Sequence, residues 1–510
     1  MVVPAHSRRL FLFAAGLILV GAAVLRFAQI DRRPFHADEG VQAYQTWQLL
    51  RGDGYTYDPA DKHGPWLYYA AAGIAKISGW VPAALDESRL RSVTLLAGLG
   101  TIALMLGAAT PLGCGPVLIG AALLAIAPLA VIYDTYFIQE AWFCFFTWAL
   151  FFAALRWWDS GPKTSSESRA SAGGGLGPAR APARQESRCG RSSEPSLTGA
   201  LLIGALVGLM QATKETSVLH FAALAVALFA IRPLYEIRHF WPRVLPAFGM
   251  AALVYVVFYS AFFTRWAGVA DGLRAYFHYA GRAAGSAHDQ PWSYYLALLW
   301  PHSIQGVRWG EPLLLVMALV GMIGAFSSRA TLTQRALAVF TMTLLVVYSL
   351  IPYKTPWLLL TPYVGLTLLA GLGVIESAKM LPAKFASTVA VLLGAALWLA
   401  CGWRDFSALD RYANDDRNPY IYQPTSSDLP RLVKTLGAVA ADHKIAVVSP
   451  DSAWPLPWYL RDRPAVGYFS TPPENLAVYD LILFDSRLET PLSATAFGLR
   501  PNVMLWLKPR

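Results

Sequence analysis

The 510-residue sequence predicts an all-α polytopic membrane protein with a small C-terminal α/β domain, and three observations carry that prediction. The composition is 55% hydrophobic and only 15% charged, with a mean hydropathy of +0.40, whereas ordinary soluble domains carry roughly 25% charge. Eleven apolar runs recur along the first four-fifths of the chain. From Arg404 onward the sequence turns more polar and short β-like runs replace the long apolar ones. The net charge of +10 would point to nucleic acid in a soluble protein. Here most of the basic residues are arginines in loops between apolar runs, which serves topology, so no nucleic-acid partner is expected. Cys114, Cys144, Cys189 and Cys401 are scattered without a CxxC pair, which supports neither a disulfide framework nor a zinc site.

A bilayer core of about 30 Å needs roughly 20 apolar residues per helix. The runs lie near 10–30, 90–110, 116–133, 140–157, 198–213, 215–231, 244–263, 311–327, 335–352, 356–375 and 384–402. The first follows Arg8 and Arg9 and lacks a small-residue cleavage site, so it reads as an uncleaved signal anchor. The segment 65–80 is ambiguous, and charge decides it. If it does not cross, the loops holding Arg180 to Arg191, Arg232 to Arg243, Arg329 with Arg335, and Lys379 with Lys384 all fall on the side of Arg8 and Arg9. If it crosses, the positive-inside bias is violated at each. Segment 65–80 is therefore expected to lie in the outer interface, giving a cytoplasmic N-terminus, an extracytoplasmic C-terminus and an inner-membrane location.

The expected division is a membrane domain over 1–402 and an extracytoplasmic α/β domain over 403–510. Within the first, residues 31–89 form an outer loop with juxtamembrane helices, 159–197 a Ser-, Gly- and Arg-rich linker read as disordered and cytoplasmic, and 264–310 a long aromatic outer loop. In the second, IAVVS (445–449), YDLILFD (479–485) and NVMLWL (502–507) read as strands and 428–441 as a helix.

This topology gathers the unusual polar motifs on one face: RPFHADEG with His36, Asp38 and Glu39; DKHGPWLYY with Lys62 and His63; YFIQE with Glu140; ATKETS with Lys214 and Glu215; and IPYKTPW with Tyr353 and Lys354. Ionisable groups at span ends are costly enough to need a reason. Transfer from an anionic lipid-linked sugar needs such a set: a carboxylate as base or to steady charge at C1, and lysines to hold the leaving phosphate. Asp38, Glu39 and Glu140 are the catalytic candidates; His36, Lys62, His63, Lys214, Glu215, Tyr353 and Lys354 are candidates for holding the donor phosphate or substrate. Plainer readings stand beside these. Asp38 and Glu39 also fit an acidic first helical turn, Lys62 an interfacial snorkelling lysine, Glu140 a helix N-terminal charge, Lys214 and Glu215 a mutual pair, and the histidines hydrogen-bonding side chains.

ADEG, a Gly-Asp-Gly turn and KHGPWLYY together resemble the first outer loop of GT-C lipid-sugar-dependent glycosyltransferases, such as protein O-mannosyltransferases and aminoarabinose transferases. YFIQE, GLMQATKET, IPYKTPWLLL, NPYIYQPTSSD and WPLPWYLRD look like motifs of the flippase-activity-associated family within that superfamily. The resemblance implies a GT-C membrane fold, Asp38 as base with Glu39 beside it, Glu140 as the second acidic position, and Lys62 on the donor phosphate. His63 and Gly64 stand where the transferases carry a proline. The leading expectation is an inverting transferase, metal-independent or only weakly metal-dependent and without an organic cofactor, moving a sugar from a polyprenyl phosphate to a lipid, glycan or protein hydroxyl. The alternative is a flippase or flippase-associated protein that binds lipid-linked sugars without cleaving them. An ion-coupled transporter would need charges at mid-span.

Overall fold

The computed structural model describes residues 5–59, 63–159, 196–231, 241–282, 288–485 and 487–488. Lys62, nearly all of the expected linker and the strand expected at 502–507 lie outside the described residues.

The outer and membrane helices run in order as α1 (Ala5–Gln29), α2 (Ala37–Arg51), α3 (Trp66–Ile77), α4 (Glu87–Gly107), α5 (Cys114–Ile126), α6 (Pro128–Asp134), α7 (Glu140–Asp159), α8 (Leu197–Gln211), α9 (Ser217–Ile231), α10 (Trp241–Tyr259), α11 (Ala267–Arg282), α12 (Pro312–Ala325), α13 (Leu332–Leu350), α14 (Leu360–Lys379) and α15 (Ala383–Leu409). Among the described residues, seven helices are long and apolar enough to cross a membrane, α5 and α6 pass the same test together as a pair bent by 64°, and α8, α9 and α12 are shorter apolar helices. Each coincides with an apolar run of the sequence. Starts are set by side-chain caps: Asp86 accepts from Arg89 N at 2.8 Å, and Thr331 with Gln334 caps α13. Pro128 interrupts the α5–α6 hydrogen-bond ladder, which accounts for the bend. Helix α14 is the most enclosed span, whereas α1, α10 and α15 present Leu12, Phe13, Val20, Phe248, Val391 and Leu392 outward. Apolar faces of that extent suit lipid.

Segment 65–80 forms α3, whose 12 residues reach only about 18 Å, well short of a bilayer core. Its N-terminus is pinned where Trp66 N donates to Ala212 O at 2.8 Å. A Cβ at Gly64 would stand 2.3 Å from that same carbonyl oxygen, so the departure from the proline-type motif is a close backbone approach that only glycine permits.

One buried ion pair ties the first span to the bend. Arg26 donates to Asp134 Oδ2 at 2.8 Å through Nε and to Ala125 O at 2.9 Å, and the guanidinium is fully buried. Both side chains come from helix ends, Arg26 from the last turn of α1 and Asp134 from that of α6.

The outer loop 264–310 is ordered where described: it holds α11, a short helix Tyr294–Leu299, and an antiparallel hairpin β1 (His302–Ile304) and β2 (Val307–Trp309). The C-terminal region holds α16 (Leu429–Gly437) and a parallel sheet of order β4–β3–β5, with β3 Ile445–Val448, β4 Val466–Phe469 and β5 Leu481–Phe484. Leu429, Leu432 and Leu436 of α16 cover the buried β3 together with Leu456 and Leu460. Strand β4 had no expectation in the sequence. Helix α15 runs on past residue 403 to Leu409, because 403–409 contains neither proline nor glycine to stop it.

The C-terminal region docks on α2. A Cβ at Gly40 would lie 2.7 Å from Pro455 Cβ, Tyr44 meets Trp454 at 5.7 Å, and Trp458 packs on Phe35 at 5.6 Å. Tyr459 accepts from Phe35 N at 3.0 Å and donates to Glu87 Oε1 at 2.8 Å. The stretch WPLPWYLRD thus carries contacts between the C-terminal region and α2.

Candidate functional site

The first turn of α2 separates two adjacent carboxylates into different environments. His36 is the N-cap; its Nδ1 accepts from Asp38 N at 3.1 Å, and Glu39 Oε2 accepts from His36 N at 2.9 Å. Glu39 is wholly buried. Arg91 of α4 donates to its two oxygens through Nε and Nη2, each at 2.7 Å, and Phe137 N adds a bond of 2.9 Å. Burial alone would raise this carboxyl, but the Arg91 charge and the surrounding donors hold it below the ordinary glutamate range. Arg91 Nη1 also donates to Ile30 O and Arg33 O, both at 2.8 Å, so one guanidinium fixes the chain entering α2 and the helix itself. Asp38, one residue earlier, keeps its side chain 53% exposed, with Oδ2 3.8 Å from His36 Nδ1.

Aromatic rings wall this position. His36 lies 6.0 Å from Tyr136 and 6.2 Å from Trp357, and Trp357 meets Tyr422 edge-on at 5.3 Å. Arg33 sits over the Tyr136 ring at 4.7 Å, a cation–π contact. Tyr136 is pushed up to about 12, by burial first, with Arg33 opposing. The buried His36 Nε2 has no hydrogen-bond partner in the protein.

Motif NPYIYQPTSSD crosses this wall as a strap. Asn418 Nδ2 donates to Ala408 O and Tyr412 O, each at 3.0 Å, Tyr420 OH donates to Glu311 Oε1 at 2.7 Å, and Thr425 Oγ1 donates to Phe35 O at 2.7 Å. Tyr422 within it is hydrogen-bonded to His288 Nδ1. Residues 288–290 pair in turn with IPYKTPW: Gln290 N donates to Pro352 O and Lys354 N to His288 O, each at 3.0 Å. Tyr353 faces His288 at 4.9 Å between ring centres. Lys354 is 1% exposed, and its Nζ donates to Gln290 O at 3.0 Å and to Ile351 O. Burial lowers this amine, with Asp289 opposing. Its ammonium holds the loop rather than standing open to solvent.

The remaining expected residues form a second cluster at the adjoining ends of α7, α8 and α9. Lys214 pairs with Glu140, while Glu215 accepts from Tyr57 OH at 2.9 Å and contacts His63 Nδ1 at 2.9 Å. Lys214 and Glu215 therefore do not pair with each other: as chain neighbours they point to different partners. Behind them His220 bridges Thr147 Oγ1 at 2.9 Å and Tyr348 OH at 2.7 Å.

The fold thus brings His36, Asp38, Glu39, Tyr353 and Lys354 around one aromatic wall, and His63, Glu140, Lys214 and Glu215 into a neighbouring ion-pair cluster. Arg91, Arg33, Tyr136, Trp357 and Tyr422 are site residues that sequence reasoning did not single out. Tyr422 could have been found through its motif; Arg91 had no local signal. Among the described residues no three His, Cys, Asp or Glu side chains gather to hold a metal ion.

The sequence matches no family profile and no curated protein. Solved structures do match. ArnT from Cupriavidus metallidurans bound to undecaprenyl phosphate superposes with a TM-score of 0.58 at 14% identity, over 88% of this chain and 85% of that one. The archaeal oligosaccharyltransferase AglB from Archaeoglobus fulgidus, in complex with an inhibitory peptide and a dolichol-phosphate, gives a TM-score of 0.56 at 12% identity. That match covers 92% of this chain but only 65% of AglB. The likeness is one of fold: this multi-pass membrane protein shares the architecture of these two structures over most of its length.

Proposed function

We propose that this protein is an inverting glycosyltransferase that moves a sugar from a polyprenyl phosphate to an acceptor hydroxyl, with Asp38 as general base. The observation that carries the reading is the division of labour in the first turn of α2: Glu39 is locked on Arg91, whereas Asp38 stays half-exposed at the aromatic wall. A retaining double displacement needs two carboxyl groups about 5 Å apart, both free to act on the sugar. A single available carboxylate suits direct displacement. The acceptor oxygen bonds to C1 as its proton passes to Asp38, and the C1–O bond to phosphate breaks with its electron pair leaving on the polyprenyl phosphate. Lys62, which lies outside the described residues, is the cation proposed for that phosphate, since Lys214 is buried on Glu140 and Lys354 on the 288–290 loop, and the apolar spans give its tail a bilayer path. The polyprenyl phosphates bound in the two similar structures support the donor class.

The positive-inside bias of the loops supports an extracytoplasmic Asp38 face; thiol labelling of cysteines introduced at Asp53 and Arg329, from outside intact cells, should mark only the first. Asp38→Asn should lower release of free polyprenyl phosphate from a labelled lipid-linked sugar by about 100-fold or more, while membrane insertion and thermal unfolding stay as in the wild type. Full activity in that variant refutes the assignment. A wild type that binds the lipid-linked sugar and never releases polyprenyl phosphate would support binding without cleavage, as in a flippase-associated protein.

A further inference from the structure

Three half-buried rings that the transfer step does not use, His288, Tyr353 and Tyr422, adjoin the Trp357–His36 wall on which Asp38 stands. They form a contiguous surface, with His288 4.9 Å from Tyr353 and 5.5 Å from Tyr422 between ring centres. Gln423 is half-exposed and Asp289 and Gln290 are exposed at its border, so planar hydrogen-bonding groups edge the flat faces. The surface is rigidly backed. The pairing of 288–290 with 352–354 fixes two of the rings, and Trp357 backs Tyr422 while also touching His36, whose imidazole neighbours the Asp38 carboxylate. Burial first, then the negative charge of Asp38, pushes the Tyr422 phenol up to about 12, which agrees with that proximity.

Apolar ring faces alternating with planar polar groups match a pyranose, whose C–H face lies on an aromatic ring while its hydroxyls reach amides and carboxylates. An extended peptide would instead want free backbone donors and acceptors to pair with. Here the neighbouring backbone of His288, Gln290, Pro352 and Lys354 is already paired with itself.

Resting on the transferase reading above, we propose that His288, Tyr353 and Tyr422 form the acceptor subsite and that the acceptor is a sugar hydroxyl. Tyr422 orients that hydroxyl toward Asp38. His288 is a positioning residue that acts through the Tyr422 phenol.

The test uses the purified full chain in nanodiscs, undecaprenyl phosphates carrying labelled mannose, glucose or arabinose, and two acceptor sets: methyl pyranosides, and Ser/Thr-containing hexapeptides. The wild type should glycosylate a pyranoside and not the peptides. Tyr422→Phe and His288→Phe should each raise the acceptor KM about tenfold, the loss of one hydrogen bond in a partly buried site. His288→Gln, which can still bond the phenol, should stay within about threefold. The double variant Tyr422→Phe/His288→Phe should be no worse than Tyr422→Phe alone, because the two act as one unit. Binding of undecaprenyl phosphate, followed by native mass spectrometry, reports that each variant is folded. Transfer to peptides in preference to pyranosides, an unchanged acceptor KM in Tyr422→Phe, or a parallel rise in donor and acceptor KM would overturn the subsite. Failure of His288→Gln to restore activity would overturn the positioning role. A wild type that releases no undecaprenyl phosphate with any acceptor or with water overturns the transferase reading itself.

Discussion

Replacing Arg91 with methionine tests how the first outer helix is held. Glu39 accepts four N–H groups, two from Arg91 and one each from His36 N and Phe137 N. Methionine keeps much of the stem volume, removes half of those donors and leaves the carboxylate buried without a counter-charge. It also strips the carbonyls of Ile30 and Arg33 of their side-chain donor. Breaking a buried pair from one side costs about 3 to 5 kcal/mol, most of it the uncompensated charge. The loss should be at the upper end, because neither partner has any exposed side-chain surface. Neutralising the survivor should then recover stability: Arg91→Met/Glu39→Gln is expected to be more stable than Arg91→Met alone by about 1 to 3 kcal/mol. The assay is unfolding of the purified chain in mixed micelles, titrated with denaturing detergent and followed by tryptophan fluorescence. An Arg91→Met loss below about 1 kcal/mol, typical of exposed pairs, refutes the account. So would strictly additive effects of the two substitutions.

The other expectations concern the same two clusters. Lys214→Met should destabilise by about 3 kcal/mol or more by stranding Glu140, and Lys214→Met/Glu140→Gln should regain part of it; equal stabilities of single and double variants would show that the pair is not coupled. Acid should act through Glu39: its folded carboxyl binds a proton less readily than the unfolded one, so its contribution is full above the ordinary glutamate range and is lost as pH falls through the depressed value. Glu39→Gln should accordingly flatten the acid limb of a stability profile; an unchanged limb would exclude Glu39 as its origin.

Much of the membrane architecture was legible because its signals are local. Each of the eleven apolar runs became helical, that at 116–133 as the bent pair α5 and α6. The shortness of α3 followed from one charge-based argument about neighbouring loops. What stayed hidden depends on contacts between distant positions. Glu39 meets Arg91 52 residues on, Lys214 meets Glu140 74 residues back, and Thr425 reaches Phe35 390 residues away. Nothing in ATKETS says that its lysine and glutamate diverge; the turn between α8 and α9 decides that. Strand β4 was missed because VGYF carries a glycine and little alternation. The position of Asp38 was readable, but its difference from Glu39 was not, since it rests on which carboxylate α4 meets with an arginine.

The buried pair of Arg26 and Asp134 sets an order on biogenesis. The cation leaves the ribosome 108 residues ahead of its partner, roughly 5 to 20 s at ordinary elongation rates. During that interval the first span must hold a guanidinium that has no carboxylate to meet. Arg26 lies within the last turn of α1, three residues before its end at Gln29, so the side chain can reach the headgroup layer and wait there. Only when the bent α5–α6 crossing is inserted can the charge be drawn inward. The first helix is therefore locked into the bundle late, by a segment synthesised long after it.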